Sequence, residues 1–239
     1  MSDEISVLGE QLDVGALDGD SDVAQQLRRA AARIRDGRGT VRSLTLFSCG
    51  LSSLRGLPPE LGATLTSMNL SSNEIGPSFA LLPELLDLAR LVSLDLSSNR
   101  LQRVTPPRAR APLTVANGVL PSLEVLCVSY NRIASLEVTR AESARASRRV
   151  PRVGSFSFPP VARQGLDEFA PSLVKLDAHD NRLPLRVAAD GSAEFARPLR
   201  GLRFLSEMNL QNASSRPGAV ASVGTGSNPP LQLRFPKTQ

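Results

Sequence analysis

The stretch LVSLDLSSNRL, residues Leu91 to Leu101, recurs in modified form along the chain. Four other segments align with it on one template, L-x-x-L-x-L-x-x-N-x-L, and they begin at Val41, Leu65, Leu123 and Leu173. An incomplete sixth copy, LSEMNLQN, begins at Leu205. Five near-complete copies in register are a strong signal of internal repetition, whereas a single copy would mean little.

Each position of the template has a physical reason. The alternating apolar pair, such as Leu94 and Leu96, predicts a short strand that points both side chains inward. The asparagine follows where the chain turns out of the strand, and its amide can bond backbone groups that a buried turn leaves without partners. This position is held by Asn73, Asn99, Asn131 and Asn181, and by Cys49 in the first copy. The pattern predicts an α/β repeat fold, a leucine-rich-repeat solenoid with a parallel concave sheet and short convex helices or turns.

The spacing of the copies indicates where loops are inserted. The first three copies start 24 and 26 residues apart, within the ~20–29 residues usual for such repeats. Later copies lie further apart, which predicts insertions at residues 103–117 and 138–164. Between the strands, the apolar spacing of Leu51, Leu54, Leu57 and Leu61 predicts the convex side. Pro83 followed by residues 84–90 predicts a helix with proline at its first position.

Three regions are expected along the chain. Residues 1–40 form an acidic N-terminal segment and a helix that covers the first repeat, residues 41–212 form the repeat domain, and residues 213–239 form a tail rich in Ser, Gly and Pro. Ser21 can cap the helix and Gly37 can end it. The helix presents one apolar face, made of Val23, Leu27, Ala30, Ala31 and Ile34. Such a cover is needed because a terminal repeat exposes apolar surface.

The positive charge of the chain is local. Its net charge is +5, and residues 138–163 hold six arginines against one glutamate. This Arg-rich insertion could dock an acidic partner such as tubulin or RNA, or could be a solvated loop. Ser143 and Ser155 each follow an arginine by three residues, so a basophilic kinase could modify them and reduce the charge. A nucleic-acid-binding fold is not indicated.

The expected compartment is reducing. Cys49 and Cys127 are the only cysteines, far apart and in no paired motif, which does not suit a disulfide-stapled secreted domain. Residues 1–22 carry seven acidic residues and no base, the reverse of a signal peptide. No apolar run approaches the ~20 residues needed to cross a bilayer. We expect a soluble cytoplasmic protein, with a cilium, flagellum or nucleus as further locations.

The repeats also resemble a known class. The pattern L-x-x-L-x-L-x-x-N-x-I/L-x-x-L, seen best in LEVLCVSYNRIASL from Leu123 to Leu136, resembles that of the leucine-rich-repeat regulatory subunit of protein phosphatase one. The same class includes leucine-rich-repeat proteins of cilia and flagella and tubulin-folding cofactors. The resemblance implies a non-catalytic scaffold or regulatory subunit, with a phosphatase catalytic subunit as partner. The alternative is a structural component of a ciliary or cytoskeletal assembly that binds tubulin or an axonemal protein.

The concave face is the candidate binding surface. Its N-terminal half is nearly all serine apart from Phe47, while varied and chemically richer side chains gather in the third to fifth copies. Aromatic and charged side chains carry most interface energy, and serine contributes little. The candidate protein-binding residues are therefore Asp95, Val125, Tyr130, Lys175, Asp177, His179 and Asp180. The alternative is a solvated face that serves only solubility.

No catalytic or cofactor site is indicated. Asp177, His179 and Asp180 could be taken for a metal or acid–base cluster, but His179 is the only histidine, so the simpler interpretation is exposed strand positions. No Ser or Cys nucleophile lies in a recognisable motif, and no glycine loop for phosphate is present. We expect no enzyme activity, no cofactor and no metal. Cys49 is expected to be buried, and Cys127 to be exposed.

Overall fold

The computed structural model describes most of the repeat region. The described residues are 4–8, 17, 21–79, 82–104, 120–136, 166, 169–183, 199, 201–211 and 232–234. The strands are β1 (Glu4–Leu8), β2 (Ser43–Phe47), β3 (Ser67–Asn69), β4 (Ser93–Asp95), β5 (Val125–Cys127), β6 (Lys175–Asp177), β7 (Glu207–Asn209) and β8 (Gln232–Arg234). Helix α1 spans Asp22–Arg35, and two 3₁₀ helices span Pro59–Ala63 and Pro83–Asp87.

The described strands form one parallel sheet in chain order, from β1 to β8. Within the described residues, each strand pairs in parallel only with its sequence neighbours, the arrangement of a solenoid. The pairing of Leu44 with Met68, and of Leu94 with Leu126, matches the alignment of the copies. The fold is a leucine-rich-repeat solenoid, as the sequence predicts.

The core lies behind the sheet and is built from the template leucines. The inward pair of every repeat from β2 to β7 is at most 2% exposed, and its members are Leu44, Leu46, Met68, Leu70, Leu94, Leu96, Leu126, Val128, Leu176, Ala178, Met208 and Leu210. Leu51, Leu54, Leu57 and Leu61 are also buried and close the convex side of the first repeat. Because each repeat adds the same apolar slots, one continuous core runs along the described chain.

Buried asparagines form a ladder along the turns. The Nδ2 of Asn131 donates to the carbonyls of Leu96, Val128 and Ser129 at 2.9, 3.0 and 3.0 Å, and its Oδ1 accepts from the backbone N–H of Leu101 at 2.9 Å. Asn99 donates to the same Leu96 carbonyl at 3.1 Å, so successive asparagines share one acceptor. The prediction that this side chain satisfies buried backbone groups is confirmed.

Helix α1 has the ends that the sequence predicts. Ser21 Oγ accepts from the backbone N–H of Ala24 at 3.1 Å, and Gly37 has a φ of 66° just beyond the last turn. Val23 and Leu27 are buried, while Ile34 packs at the edge of the core. The helix predicted after Pro83 is shorter than expected and of another type, because it ends at Asp87 as a 3₁₀ helix.

Two strands were not predicted. β1 lies within the segment expected to be only acidic, and it pairs in parallel with β2 along its full length, Ile5 opposite Leu44. β8 lies within the Ser/Gly/Pro-rich tail and pairs with β7. Seven gaps of about 4.8 Å make the described sheet roughly 34 Å wide, instead of the roughly 24 Å that six strands give. The first repeat is therefore covered by β1 as well as by α1.

The Arg-rich insertion, residues 138–164, lies outside the described residues, as do Ser143 and Ser155. The described chain on either side of it is anchored in the core at Leu136 and Leu166, which are 2% and 0% exposed. The three region boundaries proposed from sequence stay a prediction.

Candidate protein-binding face

The outward side chains of the sheet lie in columns with one residue from each strand. One column contains Ser43, Ser67, Ser93, Val125, Lys175 and Glu207, and another contains Thr45, Asn69, Asp95, Cys127, Asp177 and Asn209. These are the two columns that the sequence alignment predicts. The placement of Asp95, Val125, Lys175 and Asp177 on one face is therefore as expected, while their role in binding stays a prediction.

The Asn and Asp members of the second column also stabilise the turn that follows their strand. Asp95 Oδ1 accepts from the backbone N–H of Ser97 at 2.8 Å, two residues on, and Asn69 Oδ1 does the same for Ser71 at 2.9 Å. The equivalent oxygen of Asp177 accepts from the N–H of His179 at 3.3 Å. Short Asn and Asp side chains favour this local bond. Asp95 and Asp177 thus have a structural role that sequence analysis did not predict.

The last outward column is a row of left-handed turn residues. Ser48, Ser72, Ser98, Tyr130 and Asp180 all have φ between 51° and 59°. Serine and aspartate are short enough to tolerate this conformation, but a bulky residue there is uncommon. Tyr130 adopts this conformation, and its side chain is 58% exposed, among the most exposed large hydrophobic side chains of the described residues. The sequence pattern predicts ordinary exposed strand positions here, so the turn was not predicted.

Tyr130 lies beside the only histidine. The two rings meet edge to face, with centroids 4.7 Å apart and planes at 80°. His179 Nδ1 lies 2.5 Å from Asp177 Oδ1, and its Nε2 lies 3.7 Å from Asp180 Oδ2. The Nδ2 of Asn209 lies 3.4 Å from the same His179 Nδ1. We call Tyr130, Asp177, His179 and Asp180 the Tyr–His cluster; its polar members are partly buried, with side chains 20–30% exposed.

The remaining candidate residues surround this cluster. Lys175 Nζ and Glu207 Oε2 form an ion pair of 3.1 Å between side chains that are 50% and 54% exposed. Such an exposed pair contributes about 0–1 kcal/mol to stability, and it neutralises its own charge. Val125 and Asp95 are half-buried. The structure thus brings Tyr130, Asp177, His179 and Asp180 together and places the other three candidates on the same face, in β4, β5 and β6.

Two expectations about exposure need correction, and one exposed residue was missed. The alternation of the strands predicts that Ser71 and Ser129 face outward, yet they are 6% and 2% exposed, because they lie where the turn folds back towards the asparagine ladder. Cys127 is half-buried instead of exposed. Phe204 was not singled out, yet it is 61% exposed. Its exposure could have been predicted from its position directly before the first leucine of a copy, where other copies have a polar residue such as Thr64.

Burial raises the pKa of the Cys127 thiol, although hydrogen bonding to Ser129, 3.3 Å from Sγ, acts in the opposite direction. Because the thiolate is the reactive form, we expect Cys127 to react with iodoacetamide more slowly at neutral pH than an exposed cysteine. The rate should keep rising above the pH at which an exposed thiol levels off, as followed by intact mass. A fast reaction at pH 7 that Cys127→Ser abolishes would contradict this prediction, while Cys49, 0% exposed, should stay unmodified in the native protein.

Among the described residues, no group of three His, Cys, Asp or Glu side chains is arranged to hold a metal ion. Within the same residues, no helix has the length and apolar character required to span a bilayer.

Two solved structures of leucine-rich-repeat proteins are similar to this chain. One is a leucine-rich-repeat protein of Leptospira interrogans, 22% identical, with a TM-score of 0.43, where 72% of this chain and 32% of that chain are covered. The other is an internalin of Listeria monocytogenes, 15% identical, also with a TM-score of 0.43, where the shares are 85% and 45%. This chain spans less than half the length of either protein. No family model and no curated protein matches it.

Proposed function

We propose that this chain is a non-catalytic protein-interaction scaffold or regulatory subunit that binds a partner through the concave face at β4 to β6. The observation that carries the proposal is the Tyr–His cluster. Tyr130 is an exposed aromatic residue in a column whose other described members are serine and aspartate. Its ring is held against His179, which in turn contacts two carboxylates. A pre-positioned aromatic side chain with adjacent polar groups is typical of an interface hot spot.

The dimensions of the face support the proposal. A sheet about 34 Å wide can offer the 20–30 residues that one side of a specific interface usually contains. The serine-rich columns of β2 to β4 then complement the partner in shape, and the Tyr–His cluster supplies most of the energy.

The repeats themselves provide substitutions that test this face without disturbing the fold. Serine occupies the conformation of Tyr130 at Ser48, Ser72 and Ser98, and asparagine makes the turn bond of Asp177 in β3. We expect the double variant Tyr130→Ser/Asp177→Asn to weaken partner binding by about 2–4 kcal/mol. Thermal unfolding should stay unchanged within about 0.5 kcal/mol.

The measurement is affinity capture of the tagged chain from its own cells, followed by mass spectrometry and titration of the recovered partner. Phe47→Ser is the matched control, because it removes a 39% exposed aromatic side chain from the other end of the same face. Equal recovery by the unmodified chain and the double variant would rule out the concave face as the binding surface.

Two partner classes follow from the sequence resemblance, and they differ in outcome. As a phosphatase regulator, the chain forms a stoichiometric soluble complex with a phosphatase catalytic subunit, and the double variant abolishes it. As a ciliary or cytoskeletal component, it stays with the detergent-extracted cytoskeleton and recovers tubulin or axonemal proteins, which are lost at higher salt. Both classes share the repeat pattern seen best from Leu123 to Leu136, so the capture experiment decides between them.

A further inference from the structure

Three consecutive repeats have arginine directly after the ladder asparagine, namely Arg100, Arg132 and Arg182. Each is exposed, while the residues on both sides of it are buried. Their backbone N–H groups donate to the carbonyls of Ile75, Leu101 and Ile133 in the preceding repeats, at 2.9, 2.8 and 2.9 Å. The backbone therefore stacks the three arginines in one row along the rim of the solenoid, at steps of about 4.8 Å. We call this set the arginine row.

The arginine row concentrates positive charge that the described chain only partly neutralises. Arg100 pairs with Glu74 at 2.8 Å, whereas Arg132 and Arg182 have no ion-pair or hydrogen-bond partner for their guanidinium groups within the described residues. The acid nearest to Arg182 along the chain, Asp180, lies beside His179 Nε2. Like charges at neighbouring positions of a parallel stack repel each other, so the row is a surface that an anionic partner would stabilise.

The ion pair between Glu74 and Arg100, at the start of the arginine row, shows which anion fits the row. Glu74 occupies the turn position equivalent to the arginines, one repeat earlier, and its Oε1 accepts from Arg100 Nη2 although both side chains are about half exposed. A carboxylate one repeat-step away is therefore within reach of a guanidinium of this row. Arg132 and Arg182 repeat that geometry without the carboxylate. Guanidinium and carboxylate groups also match in shape, since both are planar and can form paired hydrogen bonds.

We propose that the arginine row is a docking site for an acidic segment, rich in glutamate or aspartate, of a partner protein. The row lies on the rim and not on the concave face, so it is a contact beyond the one in the proposed function. A nucleic acid strand is a poorer fit, because surfaces for single strands combine basic groups with several stacking aromatics. The described chain has three exposed aromatic residues, Phe47, Tyr130 and Phe204, and they lie in three different repeats instead of forming a stacking set.

The test uses fluorescein-labelled peptides of alternating glutamate and serine, with an otherwise identical glutamine peptide as the uncharged control. At about 50 mM salt we expect the glutamate peptide to bind the full chain. Arg132→Gln/Arg182→Gln should weaken this binding about tenfold, the sum of two partly exposed ion pairs. The charge-matched control is Arg38→Gln/Arg90→Gln, which removes two exposed arginines elsewhere and should change binding less than twofold.

Each other outcome overturns the proposal in a distinguishable way. Equal weakening by both double variants would mean attraction to the net charge of the chain alone. Unchanged binding in Arg132→Gln/Arg182→Gln would assign the peptide to another surface, such as the Arg-rich insertion. Tighter binding of a phosphoserine peptide or a single-stranded RNA, lost in the same variant, would assign the row to phosphate. Folding is checked by urea denaturation, where removal of like charges should leave the midpoint equal or slightly higher.

Discussion

Replacing Asn131 with alanine is expected to lower the free energy of unfolding by about 3–5 kcal/mol, measured by urea denaturation at neutral pH. The asparagine is 7% exposed and makes four hydrogen bonds to the backbone. Its removal leaves the buried N–H of Leu101 without an acceptor, which costs about 1–3 kcal/mol. The three lost bonds from Nδ2 add about 1 kcal/mol each at most, since the Leu96 and Val128 carbonyls retain Asn99 and Asn181 as donors.

Two variants separate lost hydrogen bonds from lost volume. Asn131→Asp keeps the shape but replaces the two N–H donors with a carboxylate that faces carbonyl oxygens, so it should be at least as destabilising at pH 7. Cys49→Ala changes the same turn position in the first repeat. Its Sγ donates to the Phe47 carbonyl at 3.4 Å, so this loss should be smaller, about 1 kcal/mol. An unfolding midpoint of Asn131→Asp equal to that of the unmodified chain would contradict the role assigned to the ladder.

The solenoid could be predicted because its determinants are local and repeated. Each copy carries the inward pair and the following apolar residues, and four of the five carry the ladder asparagine. Five copies allow the register to be checked against itself. For this reason the pairing of Ser93 with Val125, and of Asp95 with Cys127, follows from the alignment alone. The ends of α1 were also predictable, since Ser21 and Gly37 are residue types with strong preferences at helix ends.

The terminal strands could not be predicted because their pairing depends on the rest of the sheet. β1 shows only the short alternation of Ile5 and Val7 among acidic residues, and β8 is three residues long. Neither segment matches the template, and a strand of this length forms only where a neighbouring edge offers unpaired backbone groups. The helix after Pro83 was predicted too long for a related reason, because the return to β4 leaves room for only one tight turn.

For the candidate site, the sequence predicts which residues share the concave face but not which of them contact each other. The template fixes which residues face outward, so Tyr130, His179 and Asp177 could be placed on one face. The edge-to-face packing of Tyr130 on His179 depends on the left-handed turn at Tyr130, a conformation that Asn or Gly would have signalled and Tyr does not. The sequence contains the arginine row as a repeated Asn-Arg pair. The template leaves the position after the asparagine variable, however, so the pattern alone assigns no role to these arginines.

Replacing Phe169 with alanine is expected to lower the free energy of unfolding by about 3–5 kcal/mol, as for other buried aromatic residues. The side chain is 0% exposed and stacks on Phe79, with centroids 5.0 Å apart and planes at 26°. Its backbone carbonyl also accepts from the N–H of Leu120 at 2.9 Å. Phe169 therefore joins the chain that returns from the Arg-rich insertion to the convex side of an earlier repeat.

A double-mutant cycle measured by urea denaturation tests this link. Phe79→Ala should cost a similar amount, and the double variant should cost about 0.5–1.5 kcal/mol less than the sum, the coupling typical of a stacked aromatic pair. Phe204→Ala is the control, since that ring is 61% exposed and its loss should change stability by no more than about 0.5 kcal/mol. Strict additivity of the two core substitutions would show that the stack does not couple the repeats. The expected coupling means that a buried aromatic contact ties the segment that leads into β6 to the segment between β3 and β4, so the register of β6 does not depend on strand pairing alone.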